Sequence, residues 1–261
     1  MAIYWITGAS SGIGLGLAQE LSFQGHKVIL SARNSEKLNE VKSTLAHPEN
    51  AFVLPFDVTD FNSLESVTNM AFSAFGSIDT VVLNAGLSQR SLFKDSKFEI
   101  YRDLMEVNFF SNVQLTQKIL PKFLDKNHGQ FVVISSLVGK FGTPYRTGYS
   151  ASKHALHGFY DSLRAELMMD DRNIHVTIIC PGFVDTNVSF NALGNDGKPT
   201  HVRDESNAEG LKPREFAKKA ITAIESKKFE AAIGGKEVLG VKLKRFLPDL
   251  FAKKIAKAKV R

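Results

Sequence analysis

The chain has 261 residues, one cysteine and a formal net charge of +6, with 43% hydrophobic and 23% charged residues. This composition is typical of a soluble globular protein with a sizeable core. No apolar run approaches the roughly 18 residues of a membrane span, and one cysteine excludes an intramolecular disulfide.

The N-terminal stretch MAIYWITGASSGIG passes directly from a predicted strand into a glycine turn. It has no basic segment followed by an apolar core, so we expect no signal peptide. Cys180 ends an apolar run, which predicts a buried, unreactive thiol. With no disulfide, the chain suits a reducing compartment, and we expect a cytoplasmic protein without a metal site.

Six apolar runs of strand length follow one another along the chain, at residues 2–7, 27–32, 51–56, 79–84, 130–135 and 175–180. They are continuous rather than alternating, as expected when both faces of a parallel sheet are covered. Stretches with helical spacing separate them, and two close on glycines suited to helix ends, Gly25 and Gly76. This alternation predicts a single α/β domain over residues 1–235, a doubly wound parallel sheet of Rossmann type with helices on both faces. Ligands bind at the carboxyl edge of such sheets.

The first strand runs into the turn TGASSGIG, which carries Gly8, Gly12 and Gly14. Glycines allow a tight turn and a close approach of backbone amides to a ligand. The helix that follows offers free N–H groups and a positive dipole end to an anion, which suits a dinucleotide diphosphate. The spacing differs from G-x-G-x-x-G, and the lysine of a P-loop is missing.

The end of the second strand indicates the form of the cofactor. Sites specific for NAD commonly have an acidic residue there, whereas this strand ends with Ala32 followed by Arg33. A guanidinium can bind a 2′-phosphate through two hydrogen bonds, so we predict NADP (NADPH). The alternative is a solvated surface arginine.

Tyr149 and Lys153 lie four residues apart in a predicted helix, a spacing that places them on one face about 5–6 Å apart. The pair alone is weak, because Tyr160 has Arg164 at the same offset. A lysine ammonium beside a phenol can stabilise the phenolate and make the tyrosine a better acid. The alternative is surface chemistry without function.

Together these segments resemble one family, the short-chain dehydrogenases/reductases. The motifs TGASSGIG, FDVTD, LNAG, EVNFF, ISSLVGK, YSASK and PGFVDT occur in the order and spacing of that family over residues 1 to 186. The stretches SSLVGKFGTPYRTGYSASKHAL and PGFVDTNVSFNALGNDGK are most similar to the 11-beta-hydroxysteroid dehydrogenase and dehydrogenase/reductase 7 subgroup. One departure is Leu83, where the family often has asparagine.

The resemblance implies a catalytic role for each of four residues. Tyr149 would be the general acid, and Ser136 would hydrogen-bond the carbonyl oxygen of the substrate. Lys153 would lower the pKa of the tyrosine and bind the nicotinamide ribose, and Asn108 would support a water relay behind the lysine. An NADP-dependent oxidoreductase acting on a carbonyl or secondary alcohol is therefore predicted. The alternative is a non-catalytic NADP-binding scaffold or sensor with a basic tail that binds a membrane surface.

The resemblance also implies the cofactor contacts. Besides Tyr149 and Lys153, the expected cofactor contacts are Gly8, Ser10, Ser11, Gly12, Ile13, Gly14, Arg33, Asp57, Val58, Asn84, Ala85, Gly86, Pro181, Gly182, Val184 and Thr186. The expected substrate contacts are Ser136, Tyr145 and Phe183. With Phe190, the aromatic residues suggest an apolar small-molecule substrate, although they could equally belong to the core.

The polar segment 187–212 interrupts the alternating pattern. Loops of this length in a domain are commonly functional lids or disordered. Because it follows a strand, it begins at the ligand edge of the sheet, and we interpret it as a loop that covers the substrate.

Residues 236–261 form a predicted basic, amphipathic C-terminal extension. They carry nine Lys or Arg against Glu237 and Asp249, a sum of +7, so the preceding 235 residues sum to −1. The basic charge therefore indicates no nucleic-acid surface on the body. Pro248 predicts a division into two short helices. Their apolar side would pack on the body or contact an anionic membrane, and the sequence leaves both open.

The predicted helices at 101–126 and 149–169 carry more apolar residues than one buried stripe needs. The first alone contains Leu104, Met105, Val107, Phe109, Phe110, Val113, Leu115, Ile119 and Leu120. In the family that the chain resembles, these helices pair across a two-fold axis. We therefore expect a homodimer or homotetramer.

Overall fold

A seven-stranded parallel sheet forms the centre of the fold, in the order β3-β2-β1-β4-β5-β6-β7. The computed structural model describes residues 1–258, apart from the side chain of Ser206. The strands are β1 (Ile3–Thr7), β2 (Lys27–Ser31), β3 (Ala51–Val53), β4 (Thr80–Leu83), β5 (Gly129–Ile134), β6 (Ile174–Pro181) and β7 (Glu230–Ile233). The chain reverses its direction of travel across the sheet between β1 and β4, and this switch point opens a crevice at the carboxyl edge.

Helices cover both faces of the sheet. They are α1 (Gly12–Phe23), α2 (Ser35–Ser43), α3 (Leu64–Phe75), α4 (Phe98–Met105), α5 (Ser111–Lys126), α6 (Thr147–Met169), α7 (Glu205–Ala208), α8 (Pro213–Glu225), α9 (Leu239–Phe246) and α10 (Pro248–Ile255). The predicted fold class is confirmed. Gly25 and Gly76 have φ of +80° and +79° after α1 and α3, so the predicted left-handed glycine ends are also confirmed.

Alternate residues of each strand enter two separate apolar layers. Trp5 and Phe131 pack with α3, α5 and α6 on one face, whereas Ile6 and Val132 pack with α1, α2 and α8 on the other. Both faces of the sheet are buried, which explains why the strands are continuous apolar runs in the sequence.

Two strands differ from the prediction. The third predicted run extends to residue 56, but β3 ends at Val53. Beyond it, Leu54 and Phe56 still donate backbone hydrogen bonds to Leu30 and Ala32 of the neighbouring chain segment. The seventh strand, β7, was not predicted, because the edge strand EAAI is short and partly exposed and therefore has no apolar run.

The C-terminal extension consists of the two helices expected from Pro248, which occupies the first turn of α10. One side of them packs on the body: Phe251 is buried, and its ring lies 4.9 Å from that of Phe141. Val241 and Ile255 pack against the same core. Among residues 1–258, no helix combines the length and apolar character needed to cross a membrane.

Candidate active site

A cleft of about 710 Å³ opens at the carboxyl edge of the sheet, at the switch point between β1 and β4. All the predicted cofactor contacts line it except Gly14, which lies beneath the turn. The lining also includes Ser136, Tyr149 and Lys153 from the predicted catalytic set. The structure thus brings together residues spread over about 180 positions of the sequence.

The glycine turn after β1 has the geometry of an anion cradle. Gly8 and Gly12 have φ of +66° and +56°, a region that strongly favours glycine. A Cβ at Gly14 would overlap the carbonyl oxygen of Gly8, so only glycine fits there. The side chain of Ser11 makes no capping hydrogen bond, which leaves the first N–H groups of α1 available. These features fit a diphosphate.

Asn84 fixes the turn to the end of β4. Its Nδ2 donates to the carbonyl oxygens of Thr7 and Gly8, at 2.9 and 3.2 Å. The hydroxyl of Thr7 in turn accepts from the backbone N–H groups of Asn84 and Ala85. The floor of the cleft is therefore held by hydrogen bonds from both strands at the switch point.

The far end of the cleft is basic on the side of β2. Arg33 lines it as predicted, and so does Lys37 in the first turn of α2, which the sequence analysis missed. Asn34 caps that helix by accepting from the N–H of Lys37 at 2.9 Å. The cap sets where α2 begins, and the Asn three residues before Lys37 is the sequence signal that places this lysine in the first turn of the helix.

Tyr149 and Lys153 occupy the first turns of α6. The Lys153 Nζ lies 5.8 Å from the centre of the Tyr149 ring and donates to the carbonyl oxygen of Ile134 at 2.8 Å. The start of the helix is held by Gln89, whose Oε1 accepts from the N–H groups of Gly148 and Tyr149 at 2.8 and 3.3 Å. Gln89 is buried and was not predicted.

The two ionisable groups respond differently to burial. Burial lowers the pKa of Lys153 to about 8, against a smaller opposing effect of Cys180. Burial raises the pKa of Tyr149, and the guanidinium of Arg146 and the hydroxyl of Ser136 oppose that rise. Arg146 is thus a cation that acts on the phenol.

Asn108 lies outside the lining, fully buried in a π-helical turn, Glu106–Phe110, between α4 and α5. Its side chain exchanges two hydrogen bonds with the backbone of Leu87 and donates a third to Ser152 Oγ at 2.9 Å. Such turns occur often at functional sites. Asn108 therefore links the chain after β4 to α6, and its part in a water relay stays a prediction.

Tyr145 and Phe183, expected to contact the substrate, do not line the cleft. Tyr145 has φ of +65°, and its carbonyl oxygen accepts from Ser91. Phe183 is held by its backbone, which donates to Glu237 and accepts from Leu211. The residues that line this part instead are Ser88, Val188, Asn191, Leu193, Pro199 and Asn207. All but Ser88 come from segment 187–212, for which the sequence predicts a loop over the substrate but not the individual residues that line the cleft.

Outside the cleft, His157, Cys180 and Glu230 form a cluster of side chains of the types that bind metal ions. His157 places Nε2 3.6 Å from Cys180 Sγ and Nδ1 3.5 Å from a carboxylate oxygen of Glu230. The Lys140 ammonium lies 2.5 Å from that carboxylate, so a cation already pairs with it. Burial raises the pKa of the Cys180 thiol to about 12, which disfavours the thiolate a metal needs. We interpret this group as an ion-pair network.

Comparison with known proteins gives consistent matches. A sequence model described as short chain dehydrogenase matches residues 2–195. Dehydrogenase/reductase SDR family member 7B of Xenopus laevis is 35% identical over 275 residues, covering 99% of this chain and 84% of the relative. A short-chain dehydrogenase structure from Streptomyces avermitilis has a TM-score of 0.82 at 28% identity, covering 97% of this chain and 94% of that one. An alcohol dehydrogenase from Thermococcus sibiricus, solved with 5-hydroxy-NADP, has a TM-score of 0.75 at 26% identity, covering 90% and 97%.

Proposed function

Because this chain belongs to the short-chain dehydrogenase/reductase family of oxidoreductases, we propose that it is an NADP-dependent enzyme that interconverts a carbonyl group and a secondary alcohol. One observation carries the proposal: Tyr149, Lys153 and Ser136 line the same cleft as the glycine turn that fits a diphosphate. Arg33 and Lys37 support NADP over NAD, because both line the end of the cleft beside β2.

The roles of the side chains follow from their chemistry. The residues around the glycine turn would hold NADPH, which would supply the hydride for the carbonyl carbon of the substrate. Tyr149 gives its proton to the carbonyl oxygen in reduction and recovers it in oxidation. Ser136 hydrogen-bonds the same oxygen and orients it. Lys153, whose pKa is about 8, is mostly protonated at neutral pH and stabilises the phenolate that Tyr149 leaves.

The substrate is proposed only as a small carbonyl compound or alcohol. The expectation of an apolar ligand rested on Tyr145, Phe183 and Phe190, and none of these lines the cleft. The lining from segment 187–212 mixes apolar and amide side chains. A panel of aldehydes and ketones, followed by NADPH absorbance, tests the proposal. Binding of NADPH without turnover of any panel member would favour the scaffold alternative.

We also propose that residues 1–235 form the catalytic domain and residues 236–261 an extension packed on it, of which 259–261 lie outside the described residues. The buried, single Cys180 supports a reducing, cytoplasmic setting.

Apolar side chains of the π-helical turn before α5 and of α6 support a homodimer or homotetramer. Phe110 is 45% exposed, and Phe109 and Phe159 are only partly buried although their rings contact each other. We expect light scattering at micromolar concentration to give about twice or four times the mass of one chain. Phe110→Glu should weaken the assembly, because it places a charge in an apolar interface. A monomeric wild type would contradict this prediction.

Exposed residues on the outer side of the C-terminal helices are evidence for contact with an anionic membrane surface. Phe246 is 73% exposed, and Leu247 and Leu250 are about half exposed, among Lys253, Lys254 and other basic residues. Apolar side chains flanked by lysines suit a lipid interface, where each basic residue near the surface contributes about 1 kcal/mol.

We therefore expect the protein to co-sediment with anionic vesicles and to dissociate as salt rises, since screening shortens the reach of exposed charges. Phe246→Ser should weaken this binding. Phe23→Ser is the matched control, because Phe23 is also exposed, at 62%, but lies at the end of α1. Absence of sedimentation at low salt, or equal loss in both variants, would leave the tail as a part of the fold alone.

A further inference from the structure

An ion-pair cluster ties segment 187–212 to the catalytic helix. Asp204, immediately before α7, pairs with the guanidinium of Arg90, which follows β4. Arg146, at the N-terminal end of α6, places Nη2 3.3 Å from the same carboxylate oxygen. We call this group the Arg90–Asp204–Arg146 cluster. It joins positions 58 and 114 residues apart in the sequence.

The cluster is buried and carries a net positive charge. The exposed fractions of the side chains are 13% for Arg90, 12% for Arg146 and 3% for Asp204. Two largely buried guanidiniums without a carboxylate between them would be strongly unfavourable, so the two ion pairs hold Asp204 in this position. Ser189 adds to this by accepting from the Asp204 N–H at 3.1 Å. The position of Asp204 is therefore fixed from both sides.

Segment 187–212 needs such a constraint because it builds much of the cleft. Its start is held separately, since Leu193 exchanges backbone hydrogen bonds with Ser88 and Arg90 at 2.9 and 2.8 Å. The later part contains Asn207, a buried cleft residue only three positions after Asp204. The cluster thus adds a buried constraint to the later part of the segment, beside the exposed ion pairs of Arg203 and Lys212 with Asp185.

One member of the cluster, Arg146, also acts on Tyr149. Arg146 lies three residues before Tyr149, about one helical turn, and its charge opposes the rise in the pKa of the phenol that burial causes. Burial, followed by Arg90, lowers the pKa of Arg146 to about 10, so the guanidinium stays charged at neutral pH. Lys153 on α6 also lies near the phenol, with Nζ 5.8 Å from the centre of its ring, and Asp204 pairs with both Arg146 and Arg90.

We propose that Asp204 and Arg146 are positioning residues: through the cluster they hold segment 187–212 over the cleft and keep a net positive charge beside Tyr149. The first effect concerns the fold alone. The second rests on the proposed function, because it requires Tyr149 to exchange a proton with the substrate.

Hydrogen exchange of the full-length protein tests the first effect. Asp204→Asn should speed the exchange of backbone amides around 200–210 about tenfold or more, since it removes a charge-assisted pair. Asp196→Asn is the matched control, because Asp196 is an exposed aspartate in the same segment. If Asp204→Asn does not fold, Arg90→Gln keeps the Arg146–Asp204 pair and should still speed exchange. Unchanged exchange in the variant that folds would overturn the proposal.

The pH dependence of kcat tests the second effect through its sign. Arg146→Gln removes a positive charge, so the limb governed by Tyr149 should move to higher pH; Arg146→Lys should restore it. Asp204→Asn removes a negative charge, so the limb should move to lower pH, and KM should rise. Shifts in the same direction, or no shift, would overturn the electrostatic role. If the wild type turns over no carbonyl compound, the proposed function fails, while hydrogen exchange still decides the first effect.

Discussion

Tyr149→Phe is expected to lower kcat for carbonyl reduction by about 10²–10⁴-fold while NADPH affinity stays within a few-fold of the wild type. The substitution keeps the ring in the cleft and removes only the hydroxyl that would give its proton to the substrate. Gln89 holds the backbone of Tyr149 independently of that hydroxyl, so the ring should not move. Initial rates from NADPH absorbance and a fluorescence titration with NADPH measure the two quantities.

Tyr160→Phe is the matched control on the same helix. Tyr160 is a buried phenol with a basic residue, Arg164, four positions later, but its hydroxyl lies 2.8 Å from Thr116 Oγ1 and does not line the cleft. The hydroxyl also donates to the carbonyl oxygen of Asn112 at 3.2 Å, and losing these hydrogen bonds should cost about 0.5–1.5 kcal/mol of stability each and leave kcat unchanged. Substantial kcat in Tyr149→Phe, or an equal loss in Tyr160→Phe, would contradict the mechanism.

The features that the sequence predicted best are those with a local physical signature. A strand that is buried on both faces has a continuous run of apolar residues in the sequence. Gly8 and Gly12 have positive φ, a backbone conformation that few residues other than glycine adopt, so the turn is also visible in the sequence. Because parallel strands end at one edge, placing each motif after its strand was enough to bring Gly8 and Tyr149 to one cleft. The general position of the site could therefore be predicted from the order of strands and motifs along the chain.

The features that the sequence did not predict depend on contacts between distant segments. Arg146 and Asp204 have no pattern that relates them, since only the path of segment 187–212 brings the carboxylate to the start of α6. Tyr145 was expected to contact the substrate, but it has a positive φ and lies in a turn whose backbone accepts a hydrogen bond from Ser91. Nearness in sequence does not set the direction of a side chain in an irregular segment.

Arg33→Ala is expected to lower kcat/KM for NADPH about ten- to a hundred-fold and to leave kcat/KM for NADH nearly unchanged. Only NADPH carries the 2′-phosphate, and one lost charge-assisted contact corresponds to about 1.5–3 kcal/mol. Arg33 is exposed at the end of β2, so its loss removes little packing. Steady-state kinetics with both cofactors, at one carbonyl substrate, measure the change in preference.

Lys37 should limit the effect of Arg33→Ala on NADPH preference, and the variant Lys37→Ala can be compared with it. It lines the same end of the cleft one helical turn later, so it should retain part of the affinity in Arg33→Ala. Lys37→Ala alone should reduce the preference for NADPH less, because an ammonium binds phosphate as a single charge rather than through a planar pair of donors. Lys42→Ala, on the same helix but outside the lining, should change nothing. If the double variant Arg33→Ala, Lys37→Ala still prefers NADPH as strongly as the wild type, the 2′-phosphate is bound elsewhere and the assignment of this end of the cleft is wrong.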